Sequence, residues 1–202
     1  ALKLLKLTER RLAHHMQHIV RGMLGCYLEA TTHMVYNHHT VKHFIHGSGS
    51  IKQAADVVKN LGGKKAFIVT DPGLANVGVQ KPLEEALTAG GVEWELFAKA
   101  ELEPSMDSIQ ACTDAAKAFG ADVIIGIGGG SPLDTTKAAA VLLTNEGPID
   151  KYFGMNLVPN ACLPMILIPT TAGTGSEFTN ISVLADTKNG GKKGVVSDYM
   201  YA

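Results

Sequence analysis

The sequence predicts an α/β fold, a parallel sheet wound by helices, and three observations carry that prediction. Val123 to Ile127 (VIIGI) and Pro164 to Ile168 (PMILI) are unbroken, largely β-branched apolar runs, as expected of strands buried on both faces. Helix-period apolar stripes fall between such runs, for example Met106, Ile109, Cys112, Ala116 and Phe119. The joints are short and stopped by glycine, as at Gly62-Gly63 and Gly90-Gly91.

Taken in order, residues 1–33 read as a leader. Leu5, Leu12, Met16, Ile19 and Met23 share one helical face, and Lys3, Lys6, Arg10, Arg11 and Arg21 outnumber Glu9 and Glu29. Three readings stay open: an organelle transit peptide, an ordinary surface helix, or sequence foreign to the rest, with Met34 as a sensible first residue. His14 and His18 are four apart, but no glutamate follows the first as a metalloprotease helix needs, so both read as solvated, as do His39, His43 and His46. Residues 34–202 read as one α/β domain. Val41 to Gly47 (VKHFIHG) reads as a strand, and Ile51, Ala54, Ala55, Val58 and Leu61 as a helix stripe. Lys65 to Thr70 is a strand, Val79 to Ala89 a helix, and Val92 to Phe97 a strand. The Met106–Phe119 stripe then leads into the central run.

That central run ends in Gly128, Gly129 and Gly130, and a helix is expected from Ser131, with Ser131 as N-cap, Pro132 at the first position and Asp134 at the third. A strand, a glycine bend and a helix N-terminus aim unpaired N–H groups and a positive dipole end at one point, where a phosphate would sit. After Ile168 comes a second bend, PTTAGTGSE (Pro169 to Glu177), rich in hydroxyls and glycine. Two such bends on one edge of a parallel sheet point to a dinucleotide, and to a Rossmann-like binding domain. The glycine cluster does not follow the first strand, so this is a different use of the same physics. Asp71 closes the Lys65–Thr70 strand. A carboxylate there can take hydrogen bonds from a ribose diol and repel a 2′-phosphate, favouring NAD over NADP, or it can serve as a plain turn aspartate before Pro72-Gly73.

Composition narrows the classes. A formal net charge of −1 removes the electrostatic case for nucleic acid. Three cysteines, Cys26, Cys112 and Cys162, have no CxxC spacing, which suits a reducing compartment, and no apolar run approaches a membrane span; a cytoplasmic protein is expected. All eight histidines precede Gly47. The glycine-rich part therefore draws on no sequence-local histidine for metal or proton chemistry.

GGGSPLDTTK (Gly128 to Lys137), PTTAGTGSE (Pro169 to Glu177) and VTDPG (Val69 to Gly73) together resemble the iron-containing (group III) alcohol dehydrogenase family, from about Val41 onward. The resemblance implies an N-terminal α/β domain holding NAD, a helical domain holding divalent iron or zinc, and reversible oxidation of an alcohol to an aldehyde or ketone by hydride transfer. It further implies that Asp71 meets the adenosine ribose, that Gly129, Gly130 and Ser131 hold the pyrophosphate, and that Asp134 shapes the bend. Thr170, Thr171 and Thr174 would line the nicotinamide side, and Lys192, or Lys193 in a register one residue on, would reach the cofactor ribose. A small-molecule alcohol or aldehyde partner and a homo-oligomer are implied as well. Glu103-Pro104 stands where the family commonly has Asn-Pro. The family's metal ligands, one aspartate and three histidines, lie downstream of the matched lysine, so the sequence is expected to carry the cofactor half of the enzyme, to lack the metal half and to be inactive alone. The rival readings are a stand-alone NAD-binding module and a relative of glycerol dehydrogenase or dehydroquinate synthase.

Overall fold

A computed structural model describes residues 39–202. The leader at residues 1–33, with His14, His18 and Cys26, and the candidate start at Met34 lie outside the described residues.

Four strands form a fully parallel sheet: β1 (Lys65–Val69), β2 (Glu93–Phe97), β3 (Val123–Gly128) and β5 (Met165–Pro169), in the order β2-β1-β3-β5. Strand alternation sends successive side chains to opposite faces, and each face is covered by helices. Ala66, Ile68, Val123, Ile125 and Ile127 pack with Val58 of α1 (Ala54–Asn60) and with Leu83 and Leu87 of α3 (Lys81–Ala89). Phe67, Val69 and Ile124 face the other way, against Cys112 and Ala116 of α4 (Met106–Phe119) and Ala139 and Ala140 of α5 (Gly130–Thr144). Every residue of β3 is buried, which is why its sequence carries no polar alternation. The short α2 (Pro72–Val77) follows β1.

A second, three-stranded sheet has the order β4-β7-β6, from β4 (Gly154–Met155), β6 (Ile181–Ala185) and β7 (Lys192–Val196). The β6–β7 pair is an antiparallel hairpin closed by Asp186, whose carboxylate accepts from the backbone of Lys188 and Asn189, both at 3.0 Å. Leu184 and Val195 pack this hairpin on Ala138, Val141 and Leu142 of α5. One side of α5 thus meets the parallel sheet and another the hairpin, so ten of its residues are buried.

Three local expectations are corrected. The 41–47 segment is irregular rather than a strand: it has no ladder partner among the described residues, and Phe44, 58% exposed, packs on His46 and Phe178. The helix expected from Val79 to Ala89 is α3, starting later at Lys81 and preceded by the separate α2, because Gly78 turns left-handed (φ 76°) and caps α2. The third concerns Ser131, which is not the N-cap of α5. That position is Gly129, and the Ser131 hydroxyl instead donates to the Leu102 carbonyl.

The contact between β3 and α5 is close enough to be tested by one methyl. A Cβ on Gly126 would lie 2.5 Å from Thr136 Oγ1 and 3.0 Å from its Cβ. Thr136 is held by its own bond to the Pro132 carbonyl at 2.8 Å and has no room to yield. Gly126→Ala is expected to destabilise the protein by about 1–3 kcal/mol, read as a lowered denaturation midpoint with an unchanged m-value.

Candidate functional site

The carboxyl ends of β1, β3 and β5 are held level. Thr70 Oγ1 donates to the Ile127 carbonyl at 2.8 Å, and the Thr170 N–H donates to the Gly128 carbonyl at 2.9 Å. These two bonds bring Asp71, the triple-glycine bend and the PTTAGTGSE bend to one rim of the sheet.

At that rim Gly128 has φ +155° and a Cβ there would lie 2.7 Å from Pro132 Cγ, so only glycine lets β3 turn into α5 at this point. Gly130 is pressed against the second bend: its missing Cβ would stand 3.0 Å from Thr174 Cγ2. Gly129 faces Thr171 at a looser 3.6 Å, measured from its missing Cβ. The first turn of α5 opens between these glycines and the threonines, with no side-chain cap on its N–H groups.

A cavity of about 310 Å³ beside this helix end is lined by Gly130, Ser131, Asp134, Thr174 and Lys192 among others. Asp71, Gly129, Thr170 and Thr171 do not line it. Thr170 and Thr171 instead border a wider groove of about 1100 Å³, which Phe44, Ile166 and Phe178 make largely apolar. The two hollows flank the two bends. Lys192 is on the cavity wall and Lys193 is not, so of the two alternatives the fold brings Lys192 to the site. Lys192 Nζ lies 3.0 Å from Glu103 Oε1, the carboxylate that stands where the resemblance expects an asparagine.

Asp71 caps α2, its Oδ1 accepting from the Leu74 N–H at 2.9 Å. The turn role weighed from sequence is therefore real, and it engages only one of the two carboxylate oxygens. Asp134 is not at the helix start. Its Oδ1 accepts from the Ser176 hydroxyl, its Oδ2 from the Val183 N–H at 3.1 Å, and its carbonyl from the Ser182 hydroxyl at 2.8 Å. It joins α5 to the chain that follows the second bend.

Lys137 closes the GGGSPLDTTK motif, where the sequence alone gives it no role. It is wholly buried, and its Nζ donates to the Ser176 carbonyl at 2.9 Å, Thr179 Oγ1 at 3.2 Å and the Ile181 carbonyl, with Asp134 Oδ1 at 3.2 Å. Burial pulls its pKa below the ordinary lysine value, and the neighbouring Asp134 carboxylate acts in the opposite direction. The available signal was a lysine inside the apolar run TTKAAAVLL, where a charge needs buried partners.

Among the described residues, no three His, Cys, Asp or Glu side chains are grouped to hold a metal ion. No described helix is long and apolar enough to cross a membrane.

A family model described as iron-containing alcohol dehydrogenase matches residues 42–202. The chain belongs to the iron-containing alcohol dehydrogenase family. It is 80% identical over 169 residues to a sulfoacetaldehyde reductase of Bilophila wadsworthia, a match covering 84% of this chain and 44% of that relative. Its fold is similar to that of a 1,3-propanediol oxidoreductase (TM-score 0.81, 30% identity, covering 83% of this chain and 44% of the other). It is also similar to a sulfoacetaldehyde reductase from Bifidobacterium kashiwanohense, solved in complex with NAD+ (TM-score 0.74, 29% identity, 83% of this chain and 44% of the other). The chain thus spans under half the length of these family members, and what it matches in them includes the Rossmann-like parallel sheet.

Burial pushes the thiols of Cys112 and Cys162 up to about 12. Their thiolate fraction at pH 8 is then about a thousandfold below that of a thiol at the ordinary value. In the native protein Cys112, which is fully buried, is expected to resist iodoacetamide at pH 8 and to be alkylated only after denaturant is added, as peptide mass mapping would show, whereas the half-buried Cys162 on the wide groove should react slowly without denaturant. Alkylation of Cys112 at the rate of a free thiol would contradict its burial.

Proposed function

We propose that this chain is the NAD-holding half of an oxidoreductase that interconverts an aldehyde and its alcohol, with sulfoacetaldehyde as the substrate class favoured by the 80% identical relative. The observation that carries the cofactor reading is the meeting of the two bends at the uncapped end of α5, fixed by the Thr170 N–H to Gly128 carbonyl bond at 2.9 Å. A diphosphate suits that place: it needs close backbone approach, free N–H donors and a positive helix end, and all three coincide there.

In this reading Gly129, Gly130 and Ser131 carry the pyrophosphate, and the free oxygen of Asp71 takes the adenosine ribose hydroxyls. Thr170, Thr171 and Thr174 flank the nicotinamide side, with Thr170 and Thr171 on the wide groove and Thr174 on the small cavity. Lys192 approaches the second ribose. NAD, when bound, supplies the hydride acceptor and NADH the donor. The residues named here bind and orient, and among the described residues none is assigned the transfer of the substrate's proton. The iron or zinc that the family resemblance implies finds no donor set among the described residues. Cytoplasmic location and a homo-oligomeric state belong to the same proposal.

The test is NADH consumption by the natural gene product on sulfoacetaldehyde. The expected outcome is turnover of that substrate to the hydroxyl-bearing sulfonate, in preference to unsulfonated aldehydes of equal length. Failure to bind NAD or to reduce any aldehyde would overturn the reading. Asp71 offers a finer check. Asp71→Ser keeps an N-cap for α2 but removes the carboxylate, so the thermal midpoint should hold while NAD affinity falls about 10- to 100-fold and discrimination against NADP narrows.

A further inference from the structure

We propose that Lys137 is a positioning residue for the cofactor diphosphate: it clamps the end of the second bend and the chain that follows it onto α5 and so sets the gap between the two bends. The proposal rests on the NAD reading above.

The clamp is visible in its bonds. An ammonium group has three N–H donors. Lys137 directs them at the Ser176 carbonyl, Thr179 Oγ1 and the Ile181 carbonyl, with Asp134 alongside. Nothing is left over for a ligand, so Lys137 acts through what it holds. The residues it holds begin directly after Gly175, and Ser176, Thr179 and Ile181 all line the 310 Å³ cavity together with Gly130 and Thr174. Two main-chain carbonyls turned inward at this depth require a buried donor. With an apolar side chain at 137 they would have to turn toward solvent, and the bend would move with them.

Charge gives the second reason for a lysine here. Asp134 lines the cavity one turn into α5, with its side chain 15% exposed. A lone carboxylate so close to a diphosphate would repel it. Lys137 at 3.2 Å offsets that charge from below, inside the protein, where screening by salt is weak. The Asp134–Lys137 pair therefore ties the two bends together without adding net negative charge to the anion site.

The experiment compares three probes on the natural gene product and its Lys137→Met variant: NAD, ADP-ribose and adenosine, the last competing only for the Asp71 end. Lys137→Met, folded as judged by a cooperative thermal transition, is expected to lose at least about tenfold in affinity for NAD and ADP-ribose, with adenosine changed by less than about twofold. Its KM for NAD should rise accordingly. Unchanged NAD affinity in the folded variant, or a parallel loss for adenosine, would overturn the proposal, since a merely structural role spares or weakens every probe alike. Should Lys137→Met not fold, Thr179→Val removes one acceptor and leaves the lysine in place. It should then weaken NAD and ADP-ribose by about 2- to 5-fold and spare adenosine; no loss there would equally overturn it. A wild-type protein that binds adenosine-based ligands at no concentration would instead defeat the NAD reading itself.

Discussion

Parallel pairing of β3 with β1 on one side and β5 on the other is the constraint on which the site depends. The registers Val69↔Gly126 and Gly128↔Pro169 bring three chain segments to the same edge of the sheet at nearly the same height. Each must then leave the sheet at its carboxyl end, and each does so through residues that suit a turn: Asp71-Pro72, Gly128-Gly129-Gly130, and Pro169 onward. A parallel sheet cannot pair its strands by tight hairpins, so its crossovers run through helices and its loops gather at two edges. The ligand-facing edge is a consequence of topology before any functional side chain is considered.

What topology alone does not fix is the separation of the two bends, and here polar contacts take over from apolar packing. On the sheet side α5 is packed through Ala139 and Ala140, and on the hairpin side through Ala138, Val141 and Leu142. Those contacts hold the helix but tolerate small shifts. Asp134 and Lys137 lie one turn apart on the same helix and grip Ser176, Thr179, Ile181 and Val183 by directional bonds, the one from Lys137 to the Ser176 carbonyl buried and most of the others partly so. Buried polar networks are intolerant of misplacement because each broken bond leaves a desolvated group without a partner. The site thus has an apolar frame and a polar adjustment screw, and the β6–β7 hairpin is the part through which the adjustment is made.

The sheet was legible because burial on both faces leaves a mark in composition. The runs KAFIV and VIIGI carry almost no polar residues and fall into β1 and β3 as read, whereas PMILI forms β5 one residue later and is not buried on both faces: β5 is the sheet's edge strand, mostly half-buried along the wide groove. The hairpin was not legible. Lys192, Lys193 and Gly194 in β7 alternate neither in charge nor in size, and the pairing with β6 is set by contacts with α5 rather than by local pattern. The 41–47 segment misled for the converse reason: it has β-branched and aromatic residues, but a strand also needs a ladder partner, which sequence does not display. Ser131 shows the limit of capping rules. Ser-Pro at a helix start fits the N-cap pattern well, yet Gly129, two residues earlier, has the extended conformation that the cap requires (φ −77°, ψ −165°), and the serine hydroxyl is drawn away to Leu102. At the site, the positions Asp71, Gly130 and Thr174 were brought to the shared rim as the motifs suggest, whereas the buried partners of Lys137 belong to a stretch forty residues away and could not be paired from spacing.

The Glu103–Lys192 pair bears on how such a site exchanges its ligand. Its side chains are 68% and 61% exposed, and an ion pair this open is worth at most about 1 kcal/mol. Under the proposed function, Lys192 is therefore neither free nor firmly committed. Glu103 and Lys192 both line the cavity, where the proposed cofactor ribose and its phosphates would arrive. A ligand carrying two negative phosphates competes for that ammonium at little cost, since the bond it must break is weak. Asparagine, neutral and short, would have no charge with which to hold Lys192 in the empty site. Glutamate orders the empty site and gives the incoming anion a carboxylate to displace. Under the proposed function, Glu103 thus gives Lys192 an ionic partner at 3.0 Å that an arriving diphosphate displaces, which a neutral amide at this position would not supply.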